Sequence, residues 1–131
     1  MSAVERKRLL RYIRTLANTL GLHDWTINVA PDEPDEKEAY AAVSCVYGRR
    51  IANVWLAHGV EQLAPAEQRL TLVHELLHIH FDRVLSLSQQ ALPGLLGAAG
   101  YTVYEEALRE HVEHGVDAVA DALAAAFPLP E

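Results

Sequence analysis

The chain has little cysteine, few aromatic residues and no long apolar run. Cys45 is the single cysteine among 131 residues, so no disulfide can form within the chain, and a reducing cytoplasm is the expected location. No apolar stretch reaches the roughly 20 residues that a membrane-crossing helix needs, and the absence of an apolar leader predicts that the protein is not secreted. Half of the residues are hydrophobic, which is enough for one folded domain over residues 1–131.

Lysine and arginine are outnumbered by acidic residues, 11 to 18, and the formal net charge is −7. This balance argues against a nucleic-acid partner. Five of the basic residues lie between Arg6 and Arg14, where they form either a solvated helix face or a docking face for an acidic partner. Acidic residues are concentrated between Asp32 and Glu38 and again after Tyr104, and we interpret both groups as solvated surface, with the exception of Glu113 and Asp117.

The first half of the chain is predicted to be one helix and three strands. Residues 3–20 carry apolar side chains at helical spacing, and Ser2 with Glu5 makes a capping box at the start. Three strand-like runs follow, at Trp25 to Ala30, Tyr40 to Tyr47 and Arg50 to Leu56. Only Gly48-Arg49 separates the last two runs, which predicts a hairpin.

The second half of the chain is predicted to be two helices. The first covers about residues 65–85 and is apolar almost all round, so we expect it to be buried. Residues 86–101 contain a proline and three glycines, which predicts a non-helical connection. A capping box of Thr102 and Glu105 then opens the last helix, which ends near Phe127. The order of the elements predicts an α+β fold with a small three-stranded sheet.

The segment His74-Glu75-Leu76-Leu77-His78 has the spacing of a metal site. Histidines four residues apart lie about 40° apart around a helix and one turn along it, so both imidazoles can reach one metal ion. Glu75 lies about 100° round from His74. It is therefore near the metal without being forced to ligate it, which is the place for a general base in hydrolysis.

A third ligand is sought on the last helix, because catalytic zinc has three protein ligands and one open position. Glu113 lies at the edge of the apolar face of that helix and can point toward the helix that carries the two histidines. Asp117 lies one turn further, where its carboxylate can hold the second ring nitrogen of a histidine ligand. The alternative is a solvated acidic stripe, which is how we interpret Glu106, Glu110 and Asp121.

Other candidate ligands fit less well. His80 projects about 200° away from His78 on the helix, and His114 is a rival ligand that otherwise lies on the surface. The metzincin pattern needs a third histidine at the position that Val84 occupies, so that group is excluded. Cys45 lies in a strand-like run and is predicted to be a small buried side chain rather than a ligand.

Together, the two helices resemble those of the gluzincin group of zincin metallopeptidases, in which a glutamate ligand and an aspartate four residues later follow H-E-x-x-H on a later helix. Residues 113–120 and the order of elements look most like the minimal ImmA/IrrE-type and phage-encoded metallopeptidase-like domains, and the likeness covers about residues 5–125. The resemblance implies zinc ligation by His74, His78 and Glu113, general-base chemistry by Glu75, and orientation of His74 by Asp117. Two positions depart from that pattern: Leu77, where glycine is usual, and Asp82, where histidine is frequent.

The sequence therefore predicts a zinc-dependent metallopeptidase. In zincins the substrate peptide adds to an edge strand, and we expect Arg50 to Leu56 to be that edge. Tyr101 and Tyr104 are open candidates for stabilising the tetrahedral intermediate, although Tyr104 is also well placed for the core. The alternative function is a zinc-bearing interaction or structural module of the same fold that has no turnover.

Overall fold

A short sheet is held between an N-terminal helix and one long, sharply bent helix. The computed structural model describes residues 1–131. Its elements are α1 (Ala3–Thr19), β1 (Thr26–Val29), β2 (Ala41–Cys45), β3 (Ile51–Leu56), a 3-10 turn (Val60–Gln62) and α2 (Pro65–Ala124). The predicted α+β fold is confirmed. Neither helix has an apolar stretch that would let it traverse a bilayer.

Helix α1 begins as predicted. The amide of Glu5 donates to the Ser2 hydroxyl, and the Glu5 carboxylate accepts from the Ser2 amide, both at 3.2 Å. These two bonds satisfy amides that the first helical turn leaves without partners. One face of the helix is buried in the core through Leu9, Tyr12, Ile13, Leu16 and Ala17.

Three of the clustered arginines of α1 fasten other segments to the helix. Arg6 donates to the carbonyls of Ala30 and Pro31, Arg8 to that of Glu131, and Arg14 to that of Trp25. A guanidinium presents several fixed donors, which suits it to holding unpaired loop carbonyls. These three side chains are half-exposed and partly engaged within the molecule, whereas Lys7 and Arg11 are exposed, as expected of a solvated face.

The sheet has the order β1-β3-β2. β2 and β3 form the predicted antiparallel hairpin, and β1 pairs in parallel with the other side of β3. β3 is thus the central strand, and the prediction that Arg50 to Leu56 forms an edge is wrong. The alternation of apolar residues in a strand predicts which side chains face the core, but it says nothing about which strand lies beside which. The free edge next to α2 belongs to β2.

Helix α2 does not contain the predicted connection. Residues 65–96 and 98–124 form two helical arms, separated only at Gly97, where φ is 73° and ψ is 168°. That conformation is essentially confined to glycine. Gly97 alone therefore makes the bend, where the sequence predicted a non-helical connection over residues 86–101. Thr102 does not cap a helix, because its hydroxyl donates to the Ala98 carbonyl within the second arm.

The second arm of α2 returns alongside the first and is held at its far end. Val116 and Ala120 of the second arm are buried with Leu72 and Leu76 of the first. Beyond the helix, Arg69 donates to the Phe127 carbonyl at 2.8 Å. The first arm is not buried all round, however, since its face near the bend is exposed. This packing fixes the register between the two arms, and that register places the candidate site.

Candidate metal centre

The two histidines of the motif lie one turn apart on the first arm of α2, with their ring centroids 4.9 Å apart. Their Nε2 atoms face each other at 3.2 Å. The opposite side of the helix is anchored in the core by Leu72, Val73 and Leu76, each at most 1% exposed. The apolar side of the helix is thereby fixed, and the histidine side faces the second arm.

Glu113 reaches the histidines from the second arm. Its Oε1 lies 3.0 Å from His78 Nε2 and 3.4 Å from His74 Nε2. The three side chains are the group in this chain whose donor atoms lie close enough together to hold a metal ion. The three residues predicted as ligands from the sequence are therefore brought together.

The spacing of these atoms fits a zinc ion. Ligand atoms about 2.0–2.1 Å from a tetrahedral ion are separated from one another by roughly 3.3 Å. The observed triangle has edges of 3.0, 3.2 and 3.4 Å. Two imidazole nitrogens and a carboxylate are also the donor types that zinc prefers in hydrolytic sites. The group comprises these three side chains and no fourth.

Asp117 lies one turn beyond Glu113 and contacts the other side of the His74 ring. Its Oδ1 is 2.9 Å from His74 Nδ1. A carboxylate in this place accepts the Nδ1 hydrogen, which leaves the Nε2 lone pair directed at the centre of the triangle. The predicted contact between Asp117 and His74 is present in the structure.

Glu75 lies beside the triangle rather than within it. Its Oε1 is 4.0 Å from His74 Nε2, and its side chain is only 16% exposed. Burial, together with the negative charges of Glu113 and Glu36, raises the pKa of Glu75 to about 8. A bound dication would offset this repulsion. Burial also lowers the pKa of His78, which favours the neutral imidazole that a metal requires.

The remaining histidines of the two arms lie outside the triangle. His80 Nε2 contacts the Leu20 carbonyl at 2.7 Å, and His111 Nδ1 contacts the Ala107 carbonyl. His114 is exposed and does not join the cluster. Of the two candidate tyrosines, Tyr101 lines the cleft beside the triangle. Tyr104 is 42% exposed, so its expected place in the core is wrong.

The triangle lies in a cleft between β2 and the two arms of α2. The larger half of the cleft, about 510 Å³, follows β2 from Ala41 to Cys45 and passes His78 and Glu113. The smaller half, about 250 Å³, extends past His74 and Asp117. Ala41 and Glu75 line both halves. The two halves therefore adjoin at these two residues.

The free edge of β2 faces outward beside this cleft. Bonds between β2 and β3 include Val46 N–H to Ile51 C=O and Ala57 N–H to Tyr40 C=O. Because such bonds alternate along an antiparallel pair, the backbone groups of Ala41, Val43 and Cys45 point away from β3. Sequence reasoning missed this edge, because only the order of the strands reveals it.

Cys45 borders the larger half of the cleft without being a reactive thiol. Burial and the neighbouring Asp82 carboxylate raise the pKa of Cys45 to about 12. A thiol must lose its proton to act as a nucleophile or a metal ligand. Cys45 is thus a small side chain as predicted, but it is only partly buried.

Comparison of the chain with protein-family models, curated proteins and solved structures found no match.

Proposed function

We propose that this protein is a zinc-dependent metallopeptidase that hydrolyses a peptide bond in a peptide or protein substrate. The observation that carries the proposal is the triangle of His74, His78 and Glu113, with Glu75 beside it in an open cleft. A structural zinc site is normally closed by four protein ligands, whereas a catalytic site keeps one position free. With its single cysteine, the chain suits the reducing cytoplasm, where we place this activity.

Each residue of the centre has a distinct task in this proposal. His74, His78 and Glu113 hold the zinc ion, and Asp117 keeps the His74 ring turned toward it. Bound zinc would supply a Lewis acid that brings the pKa of a water molecule toward neutrality. Glu75 accepts a proton from the attacking water and transfers it to the leaving amine, so that one water is consumed for each peptide bond broken.

The substrate is proposed to bind as an extended segment along β2, in place of the strand expected from the sequence. The outward backbone groups of Ala41, Val43 and Cys45 can pair with a peptide main chain. β2 runs beside the larger half of the cleft, and residues 39–41 line the smaller half. A peptide on this edge therefore passes Glu75 and the triangle.

The alternative is a zinc-bearing interaction module without turnover, and one observation favours it. Arg109 is the only guanidinium that lines the cleft, and its Nε and Nη2 both donate to Glu105. These two donors thus serve an ion pair within the second arm rather than a group in the cleft. Turnover distinguishes the two functions, since both require zinc.

The proposal is tested by incubating zinc-loaded protein with a mixed library of unstructured peptides and identifying the products by mass spectrometry. We expect cleavage that a zinc chelator abolishes and added zinc restores. Magnesium should not restore it, because histidine nitrogens suit zinc better than they suit magnesium. A library left intact by zinc-loaded protein would favour the interaction module.

Asp117→Asn should weaken zinc binding about 10- to 100-fold, the usual effect of losing a carboxylate that supports a histidine ligand. Asparagine keeps the size of the side chain but loses the charge that orients His74. The controls are Glu110→Gln, outside the cleft, and Asp121→Asn, at a residue that lines the smaller half of the cleft but forms no ion pair with either histidine. Each removes the same charge from the same arm. Competition with a chelator of known affinity gives the dissociation constant for zinc of each of the three variants. Equal, small effects at all three positions would contradict a specific role for Asp117.

A further inference from the structure

The cleft around the candidate metal centre is strongly acidic. Its two halves are lined by seven carboxyl groups and one guanidinium, which gives a formal charge of −6 when every carboxyl group is ionised. The guanidinium of Arg109 already forms an ion pair with Glu105, whose Oε1 lies 2.8 Å from Nη2 and 3.0 Å from Nε. A divalent ion would offset only two of the remaining charges.

Three of these carboxylates have no cationic partner and no role in the proposed hydrolysis: Glu36, Asp82 and Asp121. They lie at three different points along the cleft. Glu36 lines the larger half of the cleft, as Glu75 does. Asp82 lies beside Cys45 in the larger half, one turn after His78, and Asp121 lines the smaller half.

Glu36 belongs to the acidic segment that precedes β2. The carboxylate of Glu33, in the same segment, accepts a hydrogen bond from the His58 amide at 3.2 Å. The chain then enters β2, whose free edge lines the cleft. The acidic run between Asp32 and Glu38, interpreted from the sequence as solvated surface, thus contributes the carboxylate of Glu36 to the larger half of the cleft.

We propose, on the basis of the peptidase function proposed above, that the substrate is a basic polypeptide segment, with lysine or arginine side chains on both sides of the cleaved bond. An extended peptide places side chains along the whole cleft, where Glu36, Asp82 and Asp121 offer a carboxylate at each of three points. Complementary charge favours such a segment and speeds its capture, while acidic peptides and nucleic acids are repelled.

Binding tests this proposal separately from turnover. Zinc-loaded Glu75→Gln protein is titrated into three fluorescein-labelled peptides of equal length, rich in lysine and arginine, in serine and glutamine, or in glutamate. Fluorescence anisotropy at low and high salt gives the affinities. We expect the basic peptide to bind about tenfold more tightly than the neutral one at low salt, from several exposed ion pairs. The difference should shrink as salt screens the charges.

Variants locate the source of the preference. Glu36→Gln and Asp82→Asn should each weaken binding of the basic peptide about two- to fivefold, the range for one exposed ion pair. Binding of the neutral peptide should not change. Glu110→Gln removes the same charge outside the cleft and should leave both affinities unchanged. If Glu110→Gln weakens binding of the basic peptide as much as the cleft variants do, the attraction is a general property of an acidic protein, and the proposal is overturned.

The outcomes also separate this proposal from the peptidase function. Equal affinity for basic and neutral peptides, or no binding of any peptide, overturns the basic substrate class. If wild-type protein still cleaves the peptide library in a zinc-dependent manner, the peptidase function survives that result. Charge-selective binding without cleavage by wild-type protein would instead retain the basic ligand and discard the hydrolysis.

Discussion

Replacing Glu75 with glutamine should leave zinc bound and lower peptide hydrolysis about 10²- to 10⁴-fold, the usual contribution of a general base. The amide has nearly the same size as the carboxylate but cannot accept a proton from water. Glu75 lies beside the triangle of ligands rather than within it, so its replacement removes no ligand. The measurements are zinc content by elemental analysis and initial rates on a peptide that the wild-type protein cleaves.

The matched control for this variant is Glu110→Gln, an exposed position on the second arm that does not line the cleft. It should cleave at the wild-type rate. A Glu75→Gln protein that keeps both its zinc and the wild-type rate would show that Glu75 is not the base. Loss of zinc from that variant would instead give Glu75 a structural role in the centre.

Replacing His78 with alanine should abolish stoichiometric zinc binding and the stabilisation that zinc provides. His78 Nε2 is the atom closest to both other ligands, 3.2 Å from His74 Nε2 and 3.0 Å from Glu113 Oε1. An ion that binds only the native state stabilises it by about 2.7 kcal/mol when its free concentration is 100 times its dissociation constant. Thermal unfolding of the wild-type protein should therefore shift upward with added zinc, and that of the variant should not.

His114→Ala is the control for the loss of a histidine. His114 follows Glu113 directly but lies outside the triangle, and the sequence left it as a rival ligand. This variant should bind zinc like the wild-type protein. If His114→Ala loses zinc and His78→Ala retains it, the ligands are not those that the structure brings together.

The helical period predicted which residues of the candidate site share a helix face, because that depends on two local spacings. Four residues separate His74 from His78, and four separate Glu113 from Asp117, so each pair necessarily lies on one helix face. The contact between the two pairs is a tertiary property. It depends on Gly97, whose backbone conformation reverses the chain, and on Val116 and Ala120, which set the register of the arms. The sequence showed only that such a contact was possible.

The features that sequence reasoning missed depend on relations between distant segments. The alternation of apolar residues in β3 correctly indicated its buried face. It could not show that β1 would pair with one edge of β3. Proline and glycine between residues 93 and 100 indicated a long connection, yet α2 accommodates all but Gly97 within its helical arms. The arginines of α1 looked free because the loop carbonyls that they hold are remote in sequence.

The most direct test of the metal centre is anomalous diffraction at the zinc absorption edge from crystals of the zinc-loaded protein. We expect one peak per chain, bounded by Nε2 of His74, Nε2 of His78 and the carboxylate of Glu113 at about 2.0–2.2 Å. The fourth position should be free of protein ligands and face Glu75. The absence of a peak, a peak away from these three residues, or a fourth protein ligand closing the site would contradict the proposed catalytic centre.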